Sequence, residues 1–247
     1  MKRKLGSLVS SDSYSPMVTV VVRAYNEEAL IANVLSALQK QTYKNFEILV
    51  VDNNSTDNTV AIAKKYGVRI IPETQQGHGY ALNRGLQEAK GDIIAITDAD
   101  TQPDRDWLEY IVHSMQSQNV VGLTGFTKFD IKSKPLYFFT NNAFMLFTYL
   151  NFLLGKPHIS GFNMAVKRDA IEYIGNLDPK YQIGEDVNLG LLLKGLGKII
   201  YARNAVVSTS TRRWEREATK TFLKYSAVYI YTVWLRKPFP EQLSTIR

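Results

Sequence analysis

Cysteine is absent from the 247 residues, which excludes disulfide staples, zinc–thiolate centres and thiol nucleophiles. Histidine is scarce: His78, His113 and His158 are the only three, too scattered in sequence for a confident imidazole metal site, so a metal here is expected on oxygen ligands. No G-x-G-x-x-G follows the first apolar strand, which argues against a dinucleotide site. The turn after that strand, Arg23-Ala24-Tyr25-Asn26-Glu27, has no glycine and one cation, unlike a loop built to grip a triphosphate. A secretory leader is not visible either, because the basic start Met1-Lys2-Arg3-Lys4 runs into a serine-rich stretch at 7–15. Residues 1–16 therefore read as a mobile tail of a cytoplasmic protein.

What is present is an ordinary globular composition, 45% hydrophobic and 21% charged, enough for one large α/β domain. Thirty Lys and Arg against 23 Asp and Glu leave a net charge of +7, which suits an anionic partner. The cations are dispersed and the aromatics sit in apolar runs, so nucleic acid is not the expected partner.

From Met17 onward, buried strand patterns alternate with helical ones. Residues 18–22 form a β-branched run of the kind a parallel sheet buries on both faces, and 46–51, 68–71 and 93–97 are similar. Helical spacing appears between them at 27–41, where Ile31, Val34, Leu35 and Leu38 fall on one face, and at 59–66 and 80–89. This order predicts a Rossmann-like, mostly parallel central sheet flanked by helices, with its ligand site at the strand C-terminal ends. Beyond Asp100 the regularity weakens, and specificity for a second ligand is expected there. The expected organisation is one α/β domain over 17–214 and a C-terminal amphipathic helical extension over 215–247.

Two aromatic-rich stretches stay open between readings. Residues 136–155 are uncharged and about as long as a membrane span. Thr140, Asn141, Thr148 and Asn151 nevertheless fall on one helical stripe, so an interfacial amphipathic helix or plain core packing is equally admissible. Residues 225–235, with Tyr225, Tyr229, Tyr231 and Trp234 between Lys224 and Arg236-Lys237, suit either a membrane interface or a core.

Three polar clusters end on the same predicted sheet edge: Arg23 to Glu28, Asp52 to Asp57, and Asp98-Ala99-Asp100. Singly, each reads equally well as helix capping. Together they mark a site, and the paired carboxylates Asp98 and Asp100 suit a hard divalent cation shared with substrate phosphates.

Further motifs make the comparison specific. Val20-Val21-Val22-Arg23-Ala24-Tyr25-Asn26-Glu27, Val50-Val51-Asp52-Asn53-Asn54-Ser55-Thr56-Asp57, Gly77-His78-Gly79-Tyr80-Ala81-Leu82-Asn83-Arg84-Gly85, Asp98-Ala99-Asp100, Gly161-Phe162-Asn163 and Gly184-Glu185-Asp186 occur in that order. Over residues 17–207 the chain resembles a family 2 glycosyltransferase of the GT-A fold. The resemblance implies an inverting transfer of a sugar, here expected to be a single one, from a nucleotide-diphosphate sugar, UDP-linked by preference, to a hydroxyl of a glycan or other acceptor. The two aromatic stretches and the basic segment 212–237 suggest a lipid-linked acceptor presented at the cytoplasmic face of the cell membrane. It implies Asp52 at the nucleotide base, Arg23, Tyr25, Glu27 and Asn54 around the nucleoside, and Gly77 and Asn83 along the donor. Asp98 is implied at the ribose or the metal, Asp100 on Mn²⁺ or Mg²⁺, Asp186 as the catalytic base, and Gly161 and Glu185 at the acceptor. Ser210-Thr211-Arg212-Arg213-Trp214 resembles the Gln-x-x-Arg-Trp motif of processive synthases with serine in the glutamine position. It suggests Arg213 at the diphosphate and Trp214 at the acceptor sugar. Ala24 stands where many members have proline, and Asn53-Asn54 where Asp-Gly is frequent. The competing readings are a sugar nucleotidyltransferase, which would want a glycine-rich basic loop after the first strand, and a non-catalytic membrane-surface binding protein, which would not need Asp98, Asp100 and Asp186.

Overall fold

The computed structural model describes residues 15–131, 134–156, 159–212 and 224–240. Of the expected N-terminal tail, residues 1–14 lie outside these, and the expected C-terminal extension is described only over 224–240.

An eight-stranded mixed sheet runs through the molecule. Its first half is the predicted alternation: β1 (Val18–Ala24), α1 (Ile31–Gln39), β2 (Phe46–Asp52), α2 (Thr59–Lys64), β3 (Arg69–Pro72), α3 (His78–Glu88) and β4 (Ile93–Asp98). These strands lie in the order β3-β2-β1-β4, all parallel. The second half contributes β5 (Thr101–Pro103), α4 (Trp107–Ser114), β6 (Val120–Asp130), α5 (Lys134–Leu153), β7 (Met164–Lys167), α6 (Arg168–Ile174), α7 (Glu185–Leu193) and β8 (Lys198–Ser210). β7 runs antiparallel to both β4 and β6, β8 is parallel to β6, and β5 closes the edge antiparallel to β8.

Burial on both faces explains the continuous apolar runs. Val18, Val20 and Val22 of β1 face one core with Ile31, Val34, Leu35 and Leu38 of α1 and Trp107 of α4, while Val21 faces the other core with Leu82 of α3 and Leu189 of α7. Each fully buried Val, Leu or Ile contributes about 1.5 to 3 kcal/mol relative to exposure. α1 starts at Ile31 rather than at residue 27, because residues 27–30 form a tight turn in which the N–H groups of Leu30 and Ile31 both donate to the Glu27 carbonyl.

Asn163, fully buried, staples the second half of the sheet. Its Oδ1 accepts from Trp107 Nε1 at 2.9 Å, and its Nδ2 donates to the carbonyls of Phe126 and Ala205 at 3.0 and 3.1 Å. Those carbonyls flank the register shift between β6 and β8, so one amide satisfies backbone groups that the irregular ladder leaves over.

The stripe on α5 is real but faces inward. Asn141, Thr148 and Asn151 are buried, with Asn141 Oδ1 accepting from the Phe129 N–H and Asn151 Oδ1 accepting from the Tyr229 hydroxyl. Burial raises the Tyr229 pKa to about 12, so that hydroxyl stays a donor. Residues 224–229 are helical and continue into a π-helical segment, Ile230–Leu235, that packs on α7. Among the described residues no helix is long and apolar enough to cross a membrane.

Candidate active site

Strand register brings the polar clusters to one edge. Arg23 is level with Asp98 across β1 and β4, and Ala24 is level with Asp52 across β1 and β2. From the end of β1 the Arg23 side chain, only 6% exposed, reaches two carboxylates. Its Nε and Nη2 both lie 2.8 Å from Asp98 Oδ1, and its Nη1 lies 2.8 Å from Glu185 Oε1. Burial pulls the guanidinium pKa down, but Asp98, Glu185 and Asp186 together outweigh it, so the pKa stands above its ordinary value and Arg23 is a permanent cation.

Glu185 and Asp186 occupy the first turn of α7, entered through Gly184 at φ +80°, a left-handed turn that suits glycine. Carboxylates there are favoured by the helix dipole. Asp186 Oδ2 accepts the Gly161 N–H at 2.7 Å. A Cβ on Gly161 would sit 2.8 Å from Arg23 Nη2 and 3.1 Å from Asp186 Oδ2, so any larger residue would push against this ion-pair array.

Glu185 behaves differently from its neighbour. Burial first, and the Asp186 carboxylate second, push its pKa up from 4.5 to about 7 against the lowering pull of Arg23. A carboxyl whose pKa is raised on folding favours the folded state in its protonated form. Its contribution is complete below pH 4.5 and is lost as pH rises through about 7. Glu185→Gln, neutral throughout, is expected to flatten this decline in urea-unfolding midpoints measured across that window. A slope identical to wild type would show that Glu185 is not buried as described.

On the other side of Arg23, a cleft of about 380 Å³ including its open mouth is lined by Arg23, Ala24, Tyr25, Glu27, Asn53, His78, Ala81, Asp98, Ala99 and Asp100. Its rim is pre-ordered. Asn26, at φ +50°, accepts the Thr56 N–H on Oδ1 at 2.8 Å, and the Glu27 N–H donates to Thr59 Oγ1 at 2.8 Å. Asn53 Oδ1 accepts the Gly77 N–H at 2.8 Å while its Nδ2 donates to the carbonyls of Glu73 and Gln75, which fixes the loop entering α3. Arg212, at the end of β8, lies with its Nη2 2.6 Å from Glu27 Oε2 and 3.7 Å from Asp100 Oδ2.

Of the residues singled out from sequence, Arg23, Tyr25, Glu27, Asp98 and Asp100 line the cleft, and Asp186 and Gly161 stand together beyond Arg23. Asp52 is buried at the end of β2, with its oxygens 3.4 Å from the Ser55 N–H, and Asn54 is exposed beside it at φ +67°. Gly77 is buried at the start of α3. Two of the residues are held by other parts of the chain. Asn83 Oδ1 accepts the Leu177 N–H at 3.0 Å, which ties α3 to the segment before α7 and turns this side chain away from the cleft. Glu185, expected at the acceptor, is 7% exposed with its carboxylate on Arg23. Arg213 and Trp214 lie outside the described residues. Arg212 was not assigned from sequence, because nothing local to it announces Glu27 as a partner 185 residues away.

Among the described residues no three His, Asp or Glu side chains gather as a self-sufficient metal site. Asp98 and Asp100 fit a different mode, in which one or two carboxylates hold Mg²⁺ or Mn²⁺ and ligand phosphates and water complete the shell.

Comparison with known proteins bears on the family and the fold. The model of glycosyl transferase family 2 matches residues 19–175. Glycosyltransferase AglE of Haloferax volcanii is 29% identical over 181 residues, 70% of this chain and 60% of that protein. The probable glycosyltransferase YdaM of Bacillus subtilis is 28% identical over 222 residues, 82% of this chain and 51% of that one. The chain thus spans between half and two thirds of the length of these two relatives. Among solved structures, mannosyltransferase PcManGT from Pyrobaculum calidifontis, in complex with GDP-Man and Mn²⁺, superposes with a TM-score of 0.70 at 23% identity, covering 96% of this chain and 69% of that one. Glucosyl-3-phosphoglycerate synthase from Mycobacterium tuberculosis, with Mn²⁺, UDP and phosphoglyceric acid, gives 0.66 at 21%, covering 92% and 80%. TarS of S. aureus with UDP-GlcNAc gives 0.65 at 20%, covering 79% and 59%.

Proposed function

Because the chain belongs to glycosyl transferase family 2, we propose that it transfers one sugar, with inversion, from a nucleotide-diphosphate sugar to the hydroxyl of a glycan or lipid-linked acceptor. The observation that carries the reading is the array around Arg23, which joins Asp98 on the cleft side to Glu185 and, through it, to Asp186 on α7. Cleft and candidate base are thereby held in one rigid frame, as a displacement reaction needs.

The nucleotide end of the donor lies against Tyr25, Glu27 and Asn53, beside Asp52, and its diphosphate reaches Asp98 and Asp100. A divalent cation on those two carboxylates, when bound, neutralises charge developing on the departing diphosphate. Arg212, already on Glu27 and Asp100, adds a second positive group on the same side. Asp186 takes the proton of the acceptor hydroxyl as its oxygen bonds to the anomeric carbon, while the bond from that carbon to the diphosphate oxygen breaks. The Gly161 N–H holds Oδ2 of Asp186 and the Val187 N–H holds Oδ1, both at 2.7 Å, so the carboxylate is fixed in place and takes the proton on a remaining lone pair. Glu185 serves here as a positioning residue that sets Arg23. A uridine nucleotide is favoured on the ground that two of the three neighbours described above hold one.

Thermal unfolding with UDP, GDP, dTDP and CMP, each with Mn²⁺, Mg²⁺ or chelator, tests the reading. A nucleotide at about 100 times its Kd stabilises by roughly 2.7 kcal/mol, a rise in midpoint of about 5 to 10 °C for a chain this long. The expected result is such a rise with a uridine nucleotide, larger with metal. In Asp100→Ala only the metal-dependent part should disappear; an equal loss in chelator would remove Asp100 from the metal. No rise with any nucleotide would favour the non-catalytic membrane-surface protein instead.

A further inference from the structure

α5 is amphipathic the wrong way round for a helix facing water. Its polar stripe is buried and its apolar side is outward: Phe138 is 71% exposed, Leu153 65% and, just past its end, Leu154 69%. The π-helical segment beside it continues this surface with Trp234 at 63% and Leu235 at 51%. The two helices are one unit, joined by the Tyr229–Asn151 hydrogen bond and by Phe147 edge-on to Tyr229 at 5.2 Å. Large apolar residues gathered on one face of two neighbouring helices mark an interaction site.

Charge identifies the occupant. No Asp or Glu occurs between 131 and 168, nor between 218 and 240, while these stretches hold five and four Lys or Arg. Lys156 Nζ lies 2.8 Å from the centroid of the Trp234 ring, and the pKa of Lys156 is lowered by desolvation and by the neighbouring cations Arg236 and Lys194. An apolar face whose own two stretches carry cations and no carboxylate is complementary to an anionic, apolar surface. A second copy meeting it about a twofold axis would set like charges against each other.

We propose that the outward faces of α5 and the π-helical segment form an in-plane docking surface for an anionic lipid bilayer. In-plane docking follows from the absence, among the described residues, of a helix able to span. The site is near: Val228 and Thr232 on the same C-terminal helix close over Gly184, two residues before Asp186, near enough that a Cβ on Gly184 would lie 2.8 Å from Thr232 Oγ1. Docking there brings the start of α7, and with it Asp186, close to the membrane surface, which rests on the glycosyl-transfer reading only for the acceptor and not for the binding itself.

Co-sedimentation of the full chain, without nucleotide, with vesicles of phosphatidylcholine alone or mixed with phosphatidylglycerol tests this. Binding to the mixed vesicles, weakened by salt, is expected. Leu153→Glu with Leu154→Glu, both at exposed positions, should weaken it about tenfold or more, and Arg236→Glu with Lys237→Glu should abolish the preference for phosphatidylglycerol. Unchanged thermal midpoints and nucleotide-induced shifts in both variants would show an intact fold and site, and would separate this outcome from that of the transfer reading. Wild-type failure to bind mixed vesicles, or equal binding by the leucine variant, overturns the proposal. So does a dimer in sedimentation equilibrium that the leucine variant dissociates, since the face is then covered by a second copy.

Discussion

Asp186→Asn is expected to lower sugar transfer by about 10² to 10⁴-fold, the range for loss of a positioned general base. Asparagine keeps the shape, and its one oxygen can still accept the Gly161 N–H or the Val187 N–H but not both, a loss of about 1 kcal/mol that the first turn of α7 should survive. Removing one negative charge there costs roughly 0.3 to 1 kcal/mol of helix-dipole interaction, too little to unfold the chain. Turnover with the identified donor should therefore collapse while the nucleotide-induced thermal shift stays at its wild-type value. Transfer at the wild-type rate would remove Asp186 from the chemistry. Loss of the thermal shift as well would mean that Asp186 holds donor or metal and not the acceptor proton.

The largest effect on stability is expected from Arg23→Met. Methionine fills much of the space but leaves Asp98 and Glu185 facing each other with no cation between them. Breaking a buried charge array from one side typically costs about 3 to 5 kcal/mol, here a fall in melting midpoint of about 10 °C or more. The loss should shrink as pH falls, because Glu185, already raised to about 7, is raised further without Arg23 and is more easily neutralised. Adding Glu185→Gln to Arg23→Met should recover part of the stability, a coupling measurable in a double-mutant cycle. A cost below about 1 kcal/mol, as for an exposed ion pair, would show that water reaches the array.

How far the sequence discloses this molecule depends on how local each feature is. β1, β2 and β4 were legible because strands buried on both faces leave unbroken apolar runs, and each run ends on a polar cluster. Asp98 and Asp100 could be placed on the sheet edge for that reason alone. The second half resisted because β8 is interrupted by Arg203 and Asn204 and its register with β6 shifts, so no period of two survives along it. The stripe on α5 was visible in the spacing of Asn141, Thr148 and Asn151, but spacing cannot say which side faces in, and the polar side proved to be the buried one. Asn83 lay in a recognisable motif, yet its partner, the Leu177 N–H, is 94 residues away and no pattern near Asn83 points to it. Glu185 is the same case. Its position at the start of α7 was predictable, but its union with Arg23 depends on how the chain crosses the sheet.

That union sets an order of events during synthesis. Arg23 and Glu185 are 162 residues apart, and residues 19–175, the stretch recognised as family 2, stop short of Glu185. A ribosome adding about 5 to 20 residues per second needs roughly 10 to 30 s to go from one to the other. Throughout that interval a nascent chain has β1 in hand without the carboxylates of α7, and its Arg23 must stay hydrated or rest on Asp98 alone. The parallel half of the sheet is available first, the joint between cleft and α7 can close only after α7 has left the exit tunnel, and the contact of Arg212 with Glu27 comes later still. Truncations that end before residue 185 would thus leave chains whose nucleotide side can assemble but whose buried cation lacks its second partner.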